Sequence, residues 1–156
     1  MKALLQRVKR ASVSVDEKTV GSCTQGFMIL LGVEAGDTEE DADVLAQKIG
    51  KLRVFNDEHG KMNRSILDVD GSALVVSQFT LCADYRHGNR PNYLEAARPE
   101  IAQPLYLHFV SQMRLILGND KVQTGVFGAD MCVDLSNDGP VTIMLESAVL
   151  RGNIQG

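Results

Sequence analysis

Apolar residues along the chain fall into many short segments whose pattern predicts strands. Some segments alternate apolar and polar residues, as from Ala11 to Val15, and others are continuous apolar runs. The runs FMILLGV and SALVVSQFTL are typical of strands that are buried on both faces. The predicted strands are ALLQRV, ASVSVD, KTVGSC (returning antiparallel to the strand before it), FMILLGV, SALVVSQFTL, VQTGVF, ADMCVDLS and VTIMLESAV.

Two segments have the spacing of amphipathic helices. The first follows Asp37 or Thr38, either of which can cap it, and its acidic first turn suits the helix dipole. The second is predicted from about Pro99 to Leu117, with Pro104 near its first turn, where a missing N–H is tolerated. The expected apolar faces are Ala42, Leu45, Ile49 and Leu52 in the first helix, and Ile101, Leu105, Phe109, Met113 and Ile116 in the second.

Many strands with two main helices predict a mixed α/β fold. We expect mostly antiparallel sheets with both helices packed on one side, in β/β/α layers. The chain has 156 residues and a mass of 17.0 kDa, which is enough for a substantial core, and no repeat or linker divides it. A single domain over residues 1–156 is therefore predicted.

Charge narrows the class of partner. A net charge of −4 and a pI near 5.3 argue against a protein that coats long nucleic acids, so no DNA partner is expected. A small basic patch could still hold the end of an RNA. The groups Arg7-Lys9-Arg10 and Arg86-Arg90-Arg98 are either solvated surface or contacts to phosphates.

The cysteines and the N-terminal segment indicate the cellular compartment. Cys23, Cys82 and Cys132 are widely spaced without a CxxC pair, which favours buried or incidental thiols over disulfides or metal ligands. No metal and no other cofactor is expected. The opening MKALLQRVKR is too short in its apolar part for a signal peptide, and no segment approaches a membrane span. A cytoplasmic protein without a membrane partner is predicted.

Polar residues interrupt the apolar run SALVVSQFTL. A buried polar group without a partner costs about 1–3 kcal/mol, so Ser77, Gln78 and Thr80 need partners or an opening. Either they bond to neighbouring backbone at the end of a strand, or they line a site in which Thr80 is a nucleophile or a positioning hydroxyl. A hydroxyl nucleophile needs a base. None of the chain's three histidines has triad spacing, and His108, beside a helix stripe, is assigned a structural role.

The segment Asn137-Asp138-Gly139-Pro140 has the composition of a turn between two strand-like segments. The segment NDGPVT (137–142), which contains these residues, and the segment SQFTL (77–81) closely resemble the two motifs of the bacterial and eukaryotic D-aminoacyl-tRNA deacylases. The resemblance extends over essentially the whole chain. Its other matches are RVKRASVSV, GKMN (60–63), GNRP and TGVFGADM (124–131).

The resemblance implies a homodimer of small α/β subunits that hydrolyses the ester between a D-amino acid and the 3′-terminal adenosine of tRNA. It also implies that the turn interpretation is incomplete, because the Gly139-Pro140 peptide would be cis and would reach into the partner subunit's active site. There the two carbonyl oxygens would surround the substrate's α-amino group and repel the Cβ of an L-amino acid. Glycine, which has no Cβ, should be accepted to some extent.

The resemblance also assigns roles to single residues. Ser77, Gln78, Phe79 and Thr80 form the catalytic motif. Because aminoacyl esters are activated, we further expect backbone N–H groups around Phe79 and Thr80 to hold the oxyanion, and the ribose 2′-OH to help activate water. A Thr80 nucleophile remains the rival. Phe127 and Met131 match positions near the terminal adenosine, although core packing would also explain them. Alternative functions are a deacylase of relaxed chirality, a non-catalytic tRNA-end-binding module and a general esterase.

Overall fold

The computed structural model describes residues 1–155, with side chains described through Gly152. Eight strands and three α-helices form the fold, together with 3-10 turns at Phe79–Cys82 and Asn119–Lys121. The strands are β1 (Lys2–Val15), β2 (Lys18–Cys23), β3 (Gly26–Gly32), β4 (Phe55–Asn56), β5 (Met62–Arg64), β6 (Ser72–Ser77), β7 (Val122–Thr124) and β8 (Cys132–Glu146). The helices are α1 (Glu39–Lys51), α2 (Pro99–Leu117) and α3 (Ser147–Gln155).

The main sheet is mixed, which confirms the predicted fold class. Its order is β2-β1-β3-β6-β7, and β8 pairs with β1 as well. Strand β1 is antiparallel to its partners, β3 along its first half, β2 along its second half and β8 along most of its length. Strands β3, β6 and β7 are mutually parallel, and β4 and β5 form a separate antiparallel hairpin. The C-terminal ends of β3 and β6 therefore lie side by side.

Helices α1 and α2 contribute to one hydrophobic core together with residues of the sheet. This core includes Leu5, Ile29, Leu45 and Phe109, all at most 1 % exposed. A second, smaller core is formed by residues such as Val13, Met28 and Leu74, with β8 packed against it. Because successive side chains of a strand point to opposite faces, the sheet divides the interior into these two layers.

The helices form close to where the sequence predicts them. Thr38 is the N-cap of α1, and Asp41 completes a capping box by accepting a hydrogen bond from the Thr38 N–H at 2.8 Å. Helix α2 has the predicted bounds, and Pro104 is accommodated near its start. One residue of its predicted apolar face is placed wrongly, because Ile101 is 53 % exposed.

Several local predictions are wrong at strand ends. ALLQRV and ASVSVD are one continuous strand, β1, because β8 pairs with it across the basic residues between them. Strand β6 ends at Ser77, and the residues after Gln78 turn into a 3-10 segment. The segment VQTGVF is a strand to Thr124 alone, and the predicted strand VTIMLESAV ends at Glu146, where α3 begins.

The Asn137–Pro140 segment does not reverse the chain. Strand β8 continues through it and pairs with β1 at the first residue of the segment, Asn137, and again beyond the segment at Thr142. The register shift between these two pairs makes the segment an irregularity within a strand. The interpretation as a hairpin turn is therefore wrong.

The cysteines agree with the expectation of buried or incidental thiols. Cys23 and Cys82 are buried, Cys132 is exposed, and all three are free. Burial raises the pKa of the Cys23 thiol to about 11, which keeps it in the unreactive protonated form. Across residues 1–155, no helix combines the length and the apolar character needed to cross a membrane.

Candidate active site

A cavity of about 580 Å³ opens where the parallel strands β3 and β6 end. Crevices at the carboxyl ends of parallel strands are common binding sites in α/β proteins. The start of α2 and the loop between β7 and β8 complete the walls. The lining residues are Leu31, Val33, Val76, Ser77, Gln78, Phe79, Tyr93, Ala96, Ala97, Pro99, Ala102, Tyr106, Phe127, Gly128, Ala129, Asp130, Met131 and Val133.

Three of the four residues of the predicted catalytic motif line this cavity: Ser77, Gln78 and Phe79. The Gln78 N–H donates to the Leu31 carbonyl at 2.8 Å, which ties the strand end to β3. The first hydrogen bond of the following 3-10 turn runs from Leu81 N to Gln78 O. Phe79 and Thr80 come before Leu81 in the chain, so their N–H groups make no hydrogen bond within the turn.

Thr80 is exposed and is not among the residues that line the cavity. Its hydroxyl oxygen accepts a hydrogen bond from the Gln78 side-chain amide. An amide donor cannot remove a proton from the hydroxyl, so this contact orients Thr80 without activating it.

The histidines lie away from the cavity as well. Nε2 of His108 lies 2.7 Å from Asp43 Oδ1, which agrees with the structural role expected for it. The side chain of His59 is 77 % exposed. Among the described residues that line the cavity there is no histidine.

Two aromatic pairs form parts of the cavity wall. The rings of Phe79 and Tyr93 meet edge to face with centroids 5.0 Å apart, and Phe79 is 58 % exposed. The rings of Tyr106 and Phe127 are 5.7 Å apart, and the Tyr106 hydroxyl donates to the Val75 carbonyl at 2.8 Å. The cavity therefore offers aromatic surface suited to a planar ligand.

Phe127 and Met131, which the resemblance places near the terminal adenosine, both line the cavity. Each also packs against a core, Phe127 on the helix-containing side and Met131 on the opposite side. A Cβ at Gly125 would lie 2.6 Å from the Met131 sulfur, so a larger residue there would require the Met131 side chain to move. Both the site interpretation and the core interpretation of these side chains are thus compatible with their positions.

Gly139 and Pro140 lie outside the cavity of their own chain. Both are exposed, the peptide between them is cis, and Gly139 has φ +127°. The Asn137 side chain spans the irregular segment, accepting from Val141 N at 3.2 Å and donating to Thr142 Oγ1 at 3.0 Å. The Gly-Pro pair is therefore held in place while presenting its backbone to solvent.

Arg7, in β1, contacts this segment, and the sequence interpretation missed its role. It was assigned to surface or phosphate contacts, but it is 5 % exposed. Its guanidinium donates to the carbonyls of Asp138 at 3.1 Å and Val54 at 2.7 Å, and to Asn56 Oδ1 at 3.2 Å. Arg7 thereby joins β8, next to Gly139, to the β4–β5 hairpin. The two-residue period of a strand, which places position 7 on the same face as the apolar Ala3 and Leu5, was a signal for an inward side chain at this position.

Comparisons with known proteins show the family of the chain. A family model described as "D-Tyr-tRNA(Tyr) deacylase" matches residues 4–146. A D-aminoacyl-tRNA deacylase of Thermomicrobium roseum is 57% identical over 152 residues, covering 97% of each chain. A D-aminoacyl-tRNA deacylase of Christiangramia forsetii is 54% identical over 151 residues, covering 97% of this chain and 100% of the relative.

Solved structures share the fold. A structure called "c-Myc DNA Unwinding Element Binding Protein" superposes with a TM-score of 0.89 at 41% identity, covering 94% of this chain and 98% of the other. A second structure, of a probable eukaryotic D-amino acid tRNA deacylase, has a TM-score of 0.79 at 17% identity, covering 93% and 98%. The second likeness concerns the fold alone.

Proposed function

The chain belongs to the D-Tyr-tRNA(Tyr) deacylase family, and we propose that its activity, the hydrolytic removal of D-amino acids from tRNA, takes place in the cavity at the ends of β3 and β6. The observation that carries this assignment is that Ser77, Gln78 and Phe79 meet Phe127 and Met131 around one opening. The segments SQFTL and TGVFGADM, which are distant in sequence, thus supply the two sides of one site.

Backbone N–H groups are the proposed source of catalysis. The N–H groups of Phe79 and Thr80 are free of the turn's own hydrogen bonds and follow directly on the cavity wall. Preorganised donors of this kind stabilise the oxyanion that develops when water attacks an ester, and one such donor is worth about 10²–10³ in kcat. Because aminoacyl esters are already activated, positioning and oxyanion stabilisation suffice.

The group that assists the attacking water in this scheme belongs to the substrate. No histidine is among the described residues around the cavity, and the Thr80 hydroxyl is oriented by an amide. In this proposal the 2′-OH of the terminal ribose assists the attacking water. A tRNA ending in 2′-deoxyadenosine tests this step, since its D-aminoacyl ester should be cleaved far more slowly than the ribose form. Equal rates would exclude assistance by the RNA.

The terminal adenosine is proposed to occupy the aromatic part of the cavity. Phe127 and Met131 provide apolar contact for its base, and the volume of about 580 Å³ suits a ligand of nucleoside size. The amino acid then lies near the opening of the cavity, where few protein groups contact its side chain selectively. The predicted enzyme accepts D-amino acids of many kinds.

Stereoselectivity requires a second subunit in this proposal. Gly139 and Pro140 are exposed and lie outside their own cavity, so their backbone is available to a partner's site in a homodimer. Their carbonyl oxygens would accept hydrogen bonds from the substrate's α-amino group and would clash with the Cβ of an L-amino acid. The enzyme would thus reject L-amino acids without recognising D side chains, and glycine would be accepted in part. An enzyme acting on aminoacyl-tRNA in this way would work in the cytoplasm.

Deacylation of D-tyrosyl-tRNA and L-tyrosyl-tRNA by the purified chain, side by side, tests the proposal. We expect rapid loss of the D ester with the L ester intact. Survival of both esters would favour a non-catalytic module that binds tRNA ends. Loss of the L ester would show that Gly139-Pro140 does not exclude L substrates, and cleavage of simple esters without RNA would indicate a general esterase.

A further inference from the structure

Asp130 is the single charged side chain among the described residues that line the cavity. The other lining groups are apolar, aromatic or neutral polar side chains. No other lining side chain among the described residues carries a charge, so none of them compensates this carboxylate.

The local backbone places Asp130 between the two residues assigned to the adenosine, Phe127 and Met131. A tight turn closed by the hydrogen bond from Ala129 N to Val126 O, 3.1 Å long, precedes it. Gly128 has φ +78° in this turn, a conformation that glycine adopts at little cost. The carboxylate is thereby carried on the same short loop as the apolar contacts to the base.

The carboxylate of Asp130 is exposed. Among the residues whose side chains are described, the ion pairs involve other carboxylates. Examples are Asp138 with Arg7 at 3.5 Å, Asp84 with Arg86 at 2.7 Å and Asp41 with Arg151 at 3.2 Å. Asp130 is therefore open to a ligand without the loss of an ion pair within the fold.

A carboxylate is an acceptor, so the ligand must present a donor. The esterified terminal adenosine has two kinds of donor, the free ribose hydroxyl and the N6 amine of the base. We propose that Asp130 is a substrate-binding residue whose carboxylate accepts a hydrogen bond from one of these donors of the terminal adenosine. This inference rests on the proposed function, because it assumes that the adenosine enters the cavity.

The test compares the parent chain with Asp130→Asn and Asp130→Ala on three D-tyrosyl-tRNA substrates. The tRNAs end in adenosine, in 2′-deoxyadenosine, which lacks the hydroxyl, or in purine riboside, which lacks the amine. On the adenosine form, we expect kcat/KM to fall about 10-fold or more, mainly through KM, as for the loss of one charge-assisted hydrogen bond. Asp134→Asn, which removes an exposed carboxylate outside the cavity, is the matched control and should leave kcat/KM unchanged.

The modified substrates identify the donor. If the ribose hydroxyl is the donor, the ratio of parent to variant falls to about one on the 2′-deoxy substrate, and if the amine is the donor it does so on purine riboside. Either result supports the proposal. A ratio that persists on both substrates, or an Asp130→Ala variant as active as the parent on all three, overturns it. Failure of the parent chain to cleave any D-ester would instead overturn the proposed function.

Discussion

The SQFT segment (77–80) and the Gly139-Pro140 segment contribute backbone groups to the proposed site in different ways. The SQFT segment ends a central buried strand and is tied to β3 by the backbone hydrogen bond from Gln78 to Leu31. The Gly-Pro segment is an irregularity in β8, exposed and supported by side chains, those of Arg7 and Asn137. The first faces its own cavity, and the second faces solvent.

This contrast indicates how each segment keeps its geometry. Around SQFT the sheet itself fixes the backbone, so the position of that backbone should depend little on the side chains there. Around Gly139-Pro140 the regular ladder is interrupted, and specific side-chain contacts replace it. Substitutions should therefore have large effects near Gly139 and small effects at Thr80.

The largest effect is expected for Arg7→Met. Methionine retains much of the volume but leaves the Asp138 and Val54 carbonyls without their buried donor, which should lower the free energy of unfolding by about 3 kcal/mol. Urea denaturation measures this change. Deacylation of D-tyrosyl-tRNA should fall as well, because the Gly139 backbone loses its support. Arg10→Met, an exposed position on the same strand, is the control, and equal stability of the two variants would contradict the assigned role.

Gly139→Ala should affect activity more than stability. Its Cβ would lie 2.9 Å from Val141 Cγ2 and 3.2 Å from Arg7 Nη2, at a φ of +127° that L side chains rarely adopt. The resulting displacement should lower kcat/KM for D-tyrosyl-tRNA about 100-fold, as for an ångström-scale misplacement in a site.

Gly36→Ala is the matched control for backbone strain. Gly36 also has a positive φ, +89°, but a Cβ there meets no described atom within 4 Å. The Gly36→Ala variant should be slightly less stable than the parent chain and should remain active. If both glycine variants lose activity to the same degree, strain rather than the position of the Gly-Pro backbone explains the loss.

The sequence predicts the fold well where periodicity is regular and poorly where distant contacts decide. Helix α2 was predicted with its observed bounds because its apolar spacing and flanking glycine are local signals. The Asn137–Pro140 segment was predicted as a turn because its residues have turn chemistry. The contact that holds it within a strand comes from Arg7, 131 residues away, and local sequence does not reveal such a partner. Phe127 and the SQFT segment lie around the same cavity because of the sheet topology. The family resemblance indicated this proximity, and the pattern of apolar and polar residues did not.

Tyr106→Phe should have a moderate effect on stability that depends on pH. Burial raises the pKa of Tyr106 to about 12 from an ordinary value of about 10, because the neutral hydroxyl is favoured in the fold. The stabilisation of the fold by the neutral Tyr106 hydroxyl is therefore complete below pH 10 and is lost as the pH rises from 10 to 12. At pH 7 the variant should lose about 1 kcal/mol, since the hydrogen bond to Val75 is removed.

Urea denaturation at pH 7 and at pH 11 measures this dependence. The parent chain should lose more stability than Tyr106→Phe between the two values, so the difference between them narrows at high pH. Tyr85→Phe is the control, because Tyr85 is 77 % exposed and its removal should leave both curves unchanged. A difference that widens at pH 11 would contradict the sign of the shift.

The smallest effect is expected at Thr80, although this residue belongs to the catalytic motif. Its backbone N–H remains in Thr80→Ala, and the hydroxyl that is lost lies outside the cavity lining and accepts from Gln78. The rate of D-tyrosyl-tRNA hydrolysis should therefore stay within about threefold of the parent chain, whereas loss of a true nucleophile costs about 10⁴-fold or more. Thr80→Ser keeps a hydroxyl and separates the two cases. If serine preserves activity while alanine abolishes it, the reaction requires the Thr80 hydroxyl, as a nucleophile or as a positioning group; if both variants are active, the chemistry depends on the backbone around residues 79–80 and on the substrate itself.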